Sequence, residues 1–200
     1  MKTTILASNN KHKIREFREM FPSENILSLA DIGFYEDITE DGKTFKENSL
    51  IKARAVQEFI KTKGINASII ADDSGLCVDA LNGEPGIFSA RYSENHDDRQ
   101  NRIKLLENLQ NKANRSAHFN CTLVELFPDG SYIVAVGKTF GTITYDETGD
   151  SSFGYDCIFL SNELNKTFGE ASSEEKNAVS HRGKAIQGLK RQRELKLKTS

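Results

Sequence analysis

The sequence predicts an α/β protein with a mixed central sheet and flanking helices. Three observations carry this expectation. Short apolar runs at Thr3 to Ala7 and Ala67 to Ala71 each lead into a polar segment. Stretches between the runs place apolar residues three and four apart, the spacing of one helix face. Further along, two β-like runs flank Pro128-Asp129-Gly130, a turn signal that predicts an antiparallel hairpin. Strand–helix alternation favours parallel pairing and a hairpin requires antiparallel pairing, so both in one chain predict a mixed sheet.

Taken in order, Thr3 to Ala7 reads as a buried strand running into Ser8-Asn9-Asn10-Lys11-His12-Lys13. A helix follows, with Ile14, Phe17 and Phe21 on one face and Pro22 as its limit. Thr44-Phe45-Lys46-Glu47 has the form of a capping box and opens a second helix that Gly64 closes. Ala67 to Ala71 is the next strand, with Asp72-Asp73-Ser74-Gly75 as the polar loop behind it. Asn82 to Gly86 is a turn, and Asp97 or Asp98 caps a helix bearing Ile103, Leu106 and Leu109. The hairpin pairs His118 to Phe127 with Tyr132 to Val136, and Gly141 to Thr144 reads as a further strand. A glycine-rich loop, Gly149 to Gly154, precedes a strand at Cys157 to Leu160. Ser172-Ser173-Glu174-Glu175 is another capping box, and Lys184 to Leu197 is the final amphipathic helix.

The bulk numbers narrow the class of function. With 200 residues the chain is long enough to bury a sizeable core, and 37% hydrophobic with 28% charged residues is ordinary globular composition. The 27 basic residues nearly balance the 29 acidic ones, for a net charge of -2. That balance gives no overall drive toward nucleic acid or an anionic membrane, so an anionic ligand needs a local cluster of cations. Met1 to Ala7 is too short and polar for a signal peptide, and no apolar run reaches the length of a membrane span. Cys77, Cys121 and Cys157 are odd in number and form no CxxC spacing. They indicate neither a zinc site nor a disulfide framework, and a reducing cytoplasm is the simplest setting.

Four segments carry candidate chemistry. Ser8 to Lys13 lies between a strand and a helix N-terminus, where backbone N–H groups suit phosphate, although an ordinary polar loop reads the same way. Glu40, Asp72 and Asp73 form an acidic set. Adjacent carboxylates after an apolar strand need a cation, and Mg²⁺ takes a few carboxylates together with substrate phosphates. The alternative is that Asp72 and Asp73 merely cap a turn before Gly75. Lys176, Ser180, His181, Arg182 and Lys184 concentrate donors fit for phosphates or a nucleotide carbonyl, or else form a solvated basic face. In Phe153-Gly154-Tyr155-Asp156, an aromatic beside glycine can stack on a purine or fold into the core.

Read together, these segments fall in the order of one family. Ala7-Ser8-Asn9-Asn10-Lys11-His12-Lys13 with Glu16; Glu40-Asp41-Gly42 with Thr44-Phe45-Lys46-Glu47-Asn48 and Lys52-Ala53; Ala71-Asp72-Asp73-Ser74-Gly75-Leu76; Gly83-Glu84-Pro85-Gly86-Ile87 with Ser89-Ala90-Arg91-Tyr92; Phe153 to Asp156; and Glu174 to Asn177 with Ser180-His181-Arg182-Gly183 appear in turn. The chain resembles the inosine triphosphate pyrophosphatase family, the Ham1/RdgB-type noncanonical purine nucleoside-triphosphate pyrophosphatases, from residue 4 to about residue 190. It departs from the family pattern at His12, where glycine is usual, and at Cys157, where proline is common.

The resemblance implies a single family domain over residues 1–200, elongated and α/β, with two lobes and a nucleotide cleft between them. It implies a homodimer that requires Mg²⁺, to which the charge balance and cysteine usage add the expectations of no stable nucleic-acid partner, no membrane partner and a cytoplasmic setting. The expected activity is hydrolysis of ITP, dITP and XTP to monophosphate and pyrophosphate, which clears them before incorporation into DNA and RNA. Glu40 and Asp73, with Asp72 in support, are then the metal ligands, and Asp73 is the catalytic base. Ser8, Asn9, Asn10, Lys11, His12, Lys13 and Lys52 would contact the phosphates and sugar. Ser74, Phe153, Gly154, Tyr155, Asp156, Lys176, His181 and Arg182 complete the substrate site, with Phe153 stacked on the purine and the cations paired to its 6-carbonyl. Competing readings are a Maf-like pyrophosphatase acting on pyrimidine triphosphates, a non-catalytic nucleotide-binding module, and an RNA-binding protein using Lys184 to Lys198.

Overall fold

A computed structural model describes residues 2–94, 97–150 and 153–199. Ser151 and Ser152 of the expected glycine-rich loop lie outside the described residues. Six strands form one sheet in the order β2-β1-β3-β4-β5-β6. These are β1 (Lys2–Leu6), β2 (Glu24–Leu27), β3 (Ser68–Val78), β4 (Ser116–Leu126), β5 (Tyr132–Ile143) and β6 (Phe159–Ser161). The helices are α1 (Lys11–Met20), α2 (Phe45–Thr62), α3 (Asp98–Asn108), α4 (Ser173–Val179) and α5 (His181–Thr199). β1 pairs in parallel with both β2 and β3, whereas β5 and β6 are antiparallel, so the sheet is mixed as predicted.

The chain divides into two compact units. One comprises Met1–Asp73, Thr122–Val136 and Ala185–Ser200, and the other comprises Ser74–Cys121 and Gly137–Lys184. In the first unit, Ile69 and Ala71 of β3 join Ile5 and Ala7 beside Ala53, Val56 and Ile60 of α2 in one buried cluster. Side chains alternate along a strand, so Ile70 turns to the opposite face. α5 packs beside α1 here: Lys190 donates to the Met20 carbonyl, and the Arg193 guanidinium lies 4.9 Å from the Phe21 ring. The second unit is centred on aromatic contacts, with Phe119 4.7 Å from Phe159 and Phe159 5.1 Å from Phe168, ring centre to ring centre.

Strand order sets where a ligand site belongs. From β1 the chain crosses to β2 on one side and returns to β3 on the other. The carboxyl end of β1, beside β3, is therefore a point where the winding reverses, the usual place for a ligand in an open α/β sheet. Leu6, the last residue of β1, pairs with Ile70, so Asp72 and Asp73 extend beyond the end of β1.

Several elements differ from the sequence expectation. Asp72-Asp73-Ser74-Gly75 is not a loop but the middle of the 11-residue strand β3. Polar residues persist in the strand because their carboxylates have cationic and amide partners. Gly141 to Thr144 is not a separate strand, because β5 runs unbroken from Tyr132 to Ile143. Asp156–Ile158 is a 3₁₀ turn, which leaves only Phe159–Ser161 as strand. β2, with Glu24 and Asn25 in its four residues, lacked an apolar signal and was missed. α5 starts at His181, three residues before the expected Lys184. At α2 the capping box is half formed: Thr44 accepts from the Glu47 N–H, but Glu47 reaches past Thr44 to the Lys43 N–H.

Candidate active site

In the first unit, the segment after β1 is shaped by its own short side chains. Ser8 accepts from the Asn10 N–H at 3.1 Å, and Asn9 accepts from the Ala30 N–H at 2.8 Å. Asn10 caps α1, its Oδ1 accepting from the N–H groups of His12 and Lys13. Two first-turn N–H groups are thus already satisfied, so attraction for a phosphate rests chiefly on the side chains of Lys11, which is exposed, and Lys13. Lys13 Nζ lies 2.6 Å from Asp72, whose carboxylate is fully buried.

Asp73, the next residue in β3, points to the opposite face, toward α2. Asn48 donates to one of its oxygens at 3.1 Å, and the Lys52 ammonium lies 3.6 Å from the other. The same ammonium is 2.8 Å from Glu40, so Lys52 bridges two carboxylates brought together from β3 and the segment before α2. Burial pushes the Asp73 carboxyl above the usual carboxylate range, and the charge of Glu40 pushes the same way. Lys52, the Asn48 hydrogen bond and Lys13 only partly oppose them.

The donor set suits a hard divalent cation. Glu40 and Asp73 offer carboxylate oxygens, and Lys52 between them marks the need for positive charge. Among the described residues no group of three or more His, Cys, Asp or Glu side chains is arranged to hold a metal by itself. Mg²⁺ commonly takes one or two carboxylates and completes its shell with phosphate oxygens and water, so two suffice.

In the second unit, Lys176, His181 and Arg182 are all buried, which removes the reading of a solvated basic face. Lys176 Nζ is 2.6 Å from Asp156 and 5.2 Å from the centre of the Phe153 ring. His181 stacks on Phe119 at 4.7 Å, with the ring planes 13° apart. Arg182 reaches the Ser74 hydroxyl at 3.4 Å. Gly183 makes the tight α4–α5 junction possible, since a Cβ there would stand 2.0 Å from the Asn177 carbonyl oxygen. Tyr155 is buried and donates its hydroxyl to the Ser89 carbonyl, so its ring is part of the core of this unit.

The order of these groups along the chain is the decisive observation, because residues 4–192 match the sequence profile of the Ham1 family. The chain belongs to the Ham1 family. A relative from Clostridium perfringens, described as a dITP/XTP pyrophosphatase, is 49% identical over 95% of this chain and 96% of its own length. One from Bacillus subtilis with the same description is 42% identical over 94% of this chain and 96% of its own. Among solved structures, the Staphylococcus aureus Ham1 protein superposes with a TM-score of 0.85 at 41% identity, covering 98% of this chain and 100% of that one.

Sequence reading of this Ham1-family chain missed three supporting residues. Asn48 carries no sequence signal beyond its place in a motif, yet its amide is bonded to Asp73. Asp98 was considered only as a helix cap. Asp97 takes that place by accepting from the Gln100 N–H, while Asp98 accepts from the Gly154 N–H. Arg102, one helical turn further, donates to the Gly154 carbonyl at 2.7 Å. Gly154 is thus held on both sides of its backbone by α3, which fixes the loop carrying Phe153. Arg102 gives no sequence signal of this role, because periodicity reads a charged helix residue as solvent-facing.

Proposed function

We propose that this Ham1-family protein hydrolyses noncanonical purine nucleoside triphosphates, ITP, dITP and XTP, to the monophosphate and pyrophosphate, and so clears them before incorporation into DNA and RNA. The observation that carries the reading is the buried Asp73 sharing Lys52 with Glu40 beyond the end of β1. The descriptions of the relatives as dITP/XTP pyrophosphatases support the same substrates.

Glu40 and Asp73 would hold Mg²⁺, whereas Asp72, expected to support them, turns to the opposite face of β3 and pairs with Lys13. Bound there, the ion neutralises triphosphate charge and raises the acidity of water. Asp73 is the general base. Its carboxylate, held by Asn48 and Lys52 beyond the end of β1, would take a proton from the water that attacks phosphorus. Lys13 and Lys52 bind phosphate oxygens by exchanging their present carboxylate partners for the ligand, and Asn10 holds the loop that carries Lys13. The chemistry depends on positioning and charge stabilisation more than on covalent participation.

The purine is assigned to the second unit. Phe153 stacks on the ring, and Lys176, His181 and Arg182 donate to the carbonyl at position 6. Adenine carries an amine there, which leaves those donors unmatched. A site built around such a hydrogen bond discriminates by roughly 10⁴-fold. Residues 1–200 are assigned to a single functional domain. The protein acts in the cytoplasm as a homodimer, for which light scattering at micromolar concentration is the test. No helix among the described residues is long and apolar enough to cross a membrane.

The deciding assay supplies ITP, ATP or GTP with and without Mg²⁺ and identifies the products. Mg²⁺-dependent IMP and pyrophosphate, with ATP and GTP nearly untouched, is the expected result; guanine shares the 6-carbonyl, so rejection of GTP requires a contact that excludes its 2-amino group. IDP with orthophosphate would place cleavage at the wrong bond. Absence of ITP turnover would redirect attention to pyrimidine triphosphates or to binding alone.

A further inference from the structure

The first turn of α2 grips the segment that carries Glu40. Thr44 caps the helix, Glu47 accepts from the Lys43 N–H at 2.6 Å, and Asn48 Oδ1 accepts from the Gly42 N–H at 2.9 Å. Asn48 is fully buried, and its other amide atom, Nδ2, donates to Asp73. The amide orientation is dictated by these partners. Reversed, it would set N–H against N–H and oxygen against a carboxylate. The approach is also tight: a Cβ on Gly42 would stand 2.6 Å from Asn48 Oδ1 and 2.7 Å from Glu47 Cβ, so only glycine fits there.

Asn48 and Lys52 are four residues apart and lie on one face of α2. Each links Asp73 to the segment before α2. Lys52 joins Glu40 to Asp73 through charge, and Asn48 joins the Gly42 backbone, two residues after Glu40, to Asp73 through a neutral amide. The two links differ in what a substrate does to them. A triphosphate competes for an ammonium, whereas a buried amide with both ends satisfied has no reason to leave.

We infer that Asn48 is a positioning residue, holding the Glu40 segment and the Asp73 carboxylate at a fixed spacing while Lys52 is drawn to the phosphates. The inference rests on the reading that Glu40 and Asp73 hold Mg²⁺. Removing groups that orient metal ligands typically lowers metal affinity or activity by roughly 10- to 100-fold.

The test compares Asn48→Ser, Gly42→Ala and, as a control on the same segment, Glu47→Ala. For each, the readouts are kcat and KM for ITP, the Mg²⁺ concentration giving half-maximal activity, Mg²⁺ binding by calorimetry without nucleotide, and thermal unfolding. Asn48→Ser should lower kcat and raise the Mg²⁺ requirement by roughly 10- to 100-fold, with KM for ITP at saturating Mg²⁺ changed far less. Gly42→Ala crowds the amide without deleting it and should show the same split, which keeps the test decisive if Asn48→Ser folds poorly. Glu47→Ala removes the bond to the Lys43 N–H while leaving both Asn48 links in place, and should leave the Mg²⁺ requirement unchanged. A folded Asn48→Ser or Gly42→Ala protein with normal kcat and Mg²⁺ requirement overturns the inference, as does a Glu47→Ala protein that matches them. Failure of the underlying reading looks different: Glu40→Gln and Asp73→Asn would then bind Mg²⁺ as tightly as the unaltered protein.

Discussion

Lys176 and Asp156 meet at 2.6 Å, both largely buried, and this pair aims the ammonium at the face of the Phe153 ring. An unpaired ammonium there would turn to other acceptors, so Asp156 sets the direction in which Lys176 offers its donors. Asp156→Asn keeps the shape and removes the charge. It should lower kcat/KM for ITP by roughly tenfold, about 1.4 kcal/mol, and shrink the preference for ITP over ATP. Steady-state kinetics on both nucleotides checks this. An unchanged ITP-to-ATP ratio would detach Asp156 from base selection.

Asp73 carries a cost that its proposed role explains. Its carboxyl binds a proton more tightly in the folded protein than the ordinary value of 3.8, because burial outweighs Lys52 and Asn48. The folded state therefore keeps a proton that the unfolded chain gives up as pH rises past 3.8. Stability falls through the interval from there to the folded value, and above it the full cost is present. Metal-free Asp73→Asn should melt higher than the unaltered protein at neutral pH, with the difference fading toward pH 3.8. Its turnover should fall by roughly 10²- to 10⁴-fold, the usual contribution of a general base. Calorimetric melting across pH, alongside product assays, separates the two effects. A lower melting point at neutral pH would contradict the burial argument.

The expected architecture was readable where a local rule governs it. The β1–α1 unit follows from an apolar run and the spacing of Ile14, Phe17 and Phe21, and the Ser172 capping box forms with both of its bonds. Reading failed where a distant partner decides. β3 continues through Asp72 because Lys13 neutralises it from 59 positions away, which hydropathy along the strand does not register. Asp98 and Arg102 look like solvent-facing helix residues, and only the fold brings Gly154 between them. Asn48 is a neutral amide inside a helix, and neither periodicity nor charge singles it out.

The grip of α3 on Gly154 gives a prediction about the loop rather than the chemistry. Arg102→Met leaves the Gly154 carbonyl and Glu147 without their guanidinium partner. Gly154 is half-buried and Glu147 is exposed, so water replaces part of what the guanidinium gave and the cost is about 1 kcal/mol. Denaturant unfolding should register a loss of that size. Because the chemical groups are untouched, KM for ITP should rise while kcat stays within about threefold, an order-of-magnitude expectation for loss of binding common to ground and transition states. An equal fall in kcat would mean that the loop also shapes the transition state.

The basic C-terminal helix, which alone raised an RNA-binding reading, has much of its charge engaged within the fold. Arg193 pairs with both Glu24 and Glu125, Lys190 donates to the Met20 carbonyl, and Lys196 donates to the Ser131 hydroxyl. Glu125 is fully buried, so removing Arg193 leaves its carboxylate with Lys2, which is half exposed, as its ionic partner among the described residues. Breaking a buried pair of this kind costs about 3–5 kcal/mol, because one charge stays behind without adequate compensation. Arg193→Met should therefore lower unfolding stability by about that amount, while kcat/KM for ITP measured below the new melting point stays near normal. The same engagement predicts weak RNA binding for the unaltered protein. A steep loss of RNA affinity with added salt would require several free cations, and so would reopen the nucleic-acid reading that this packing argues against.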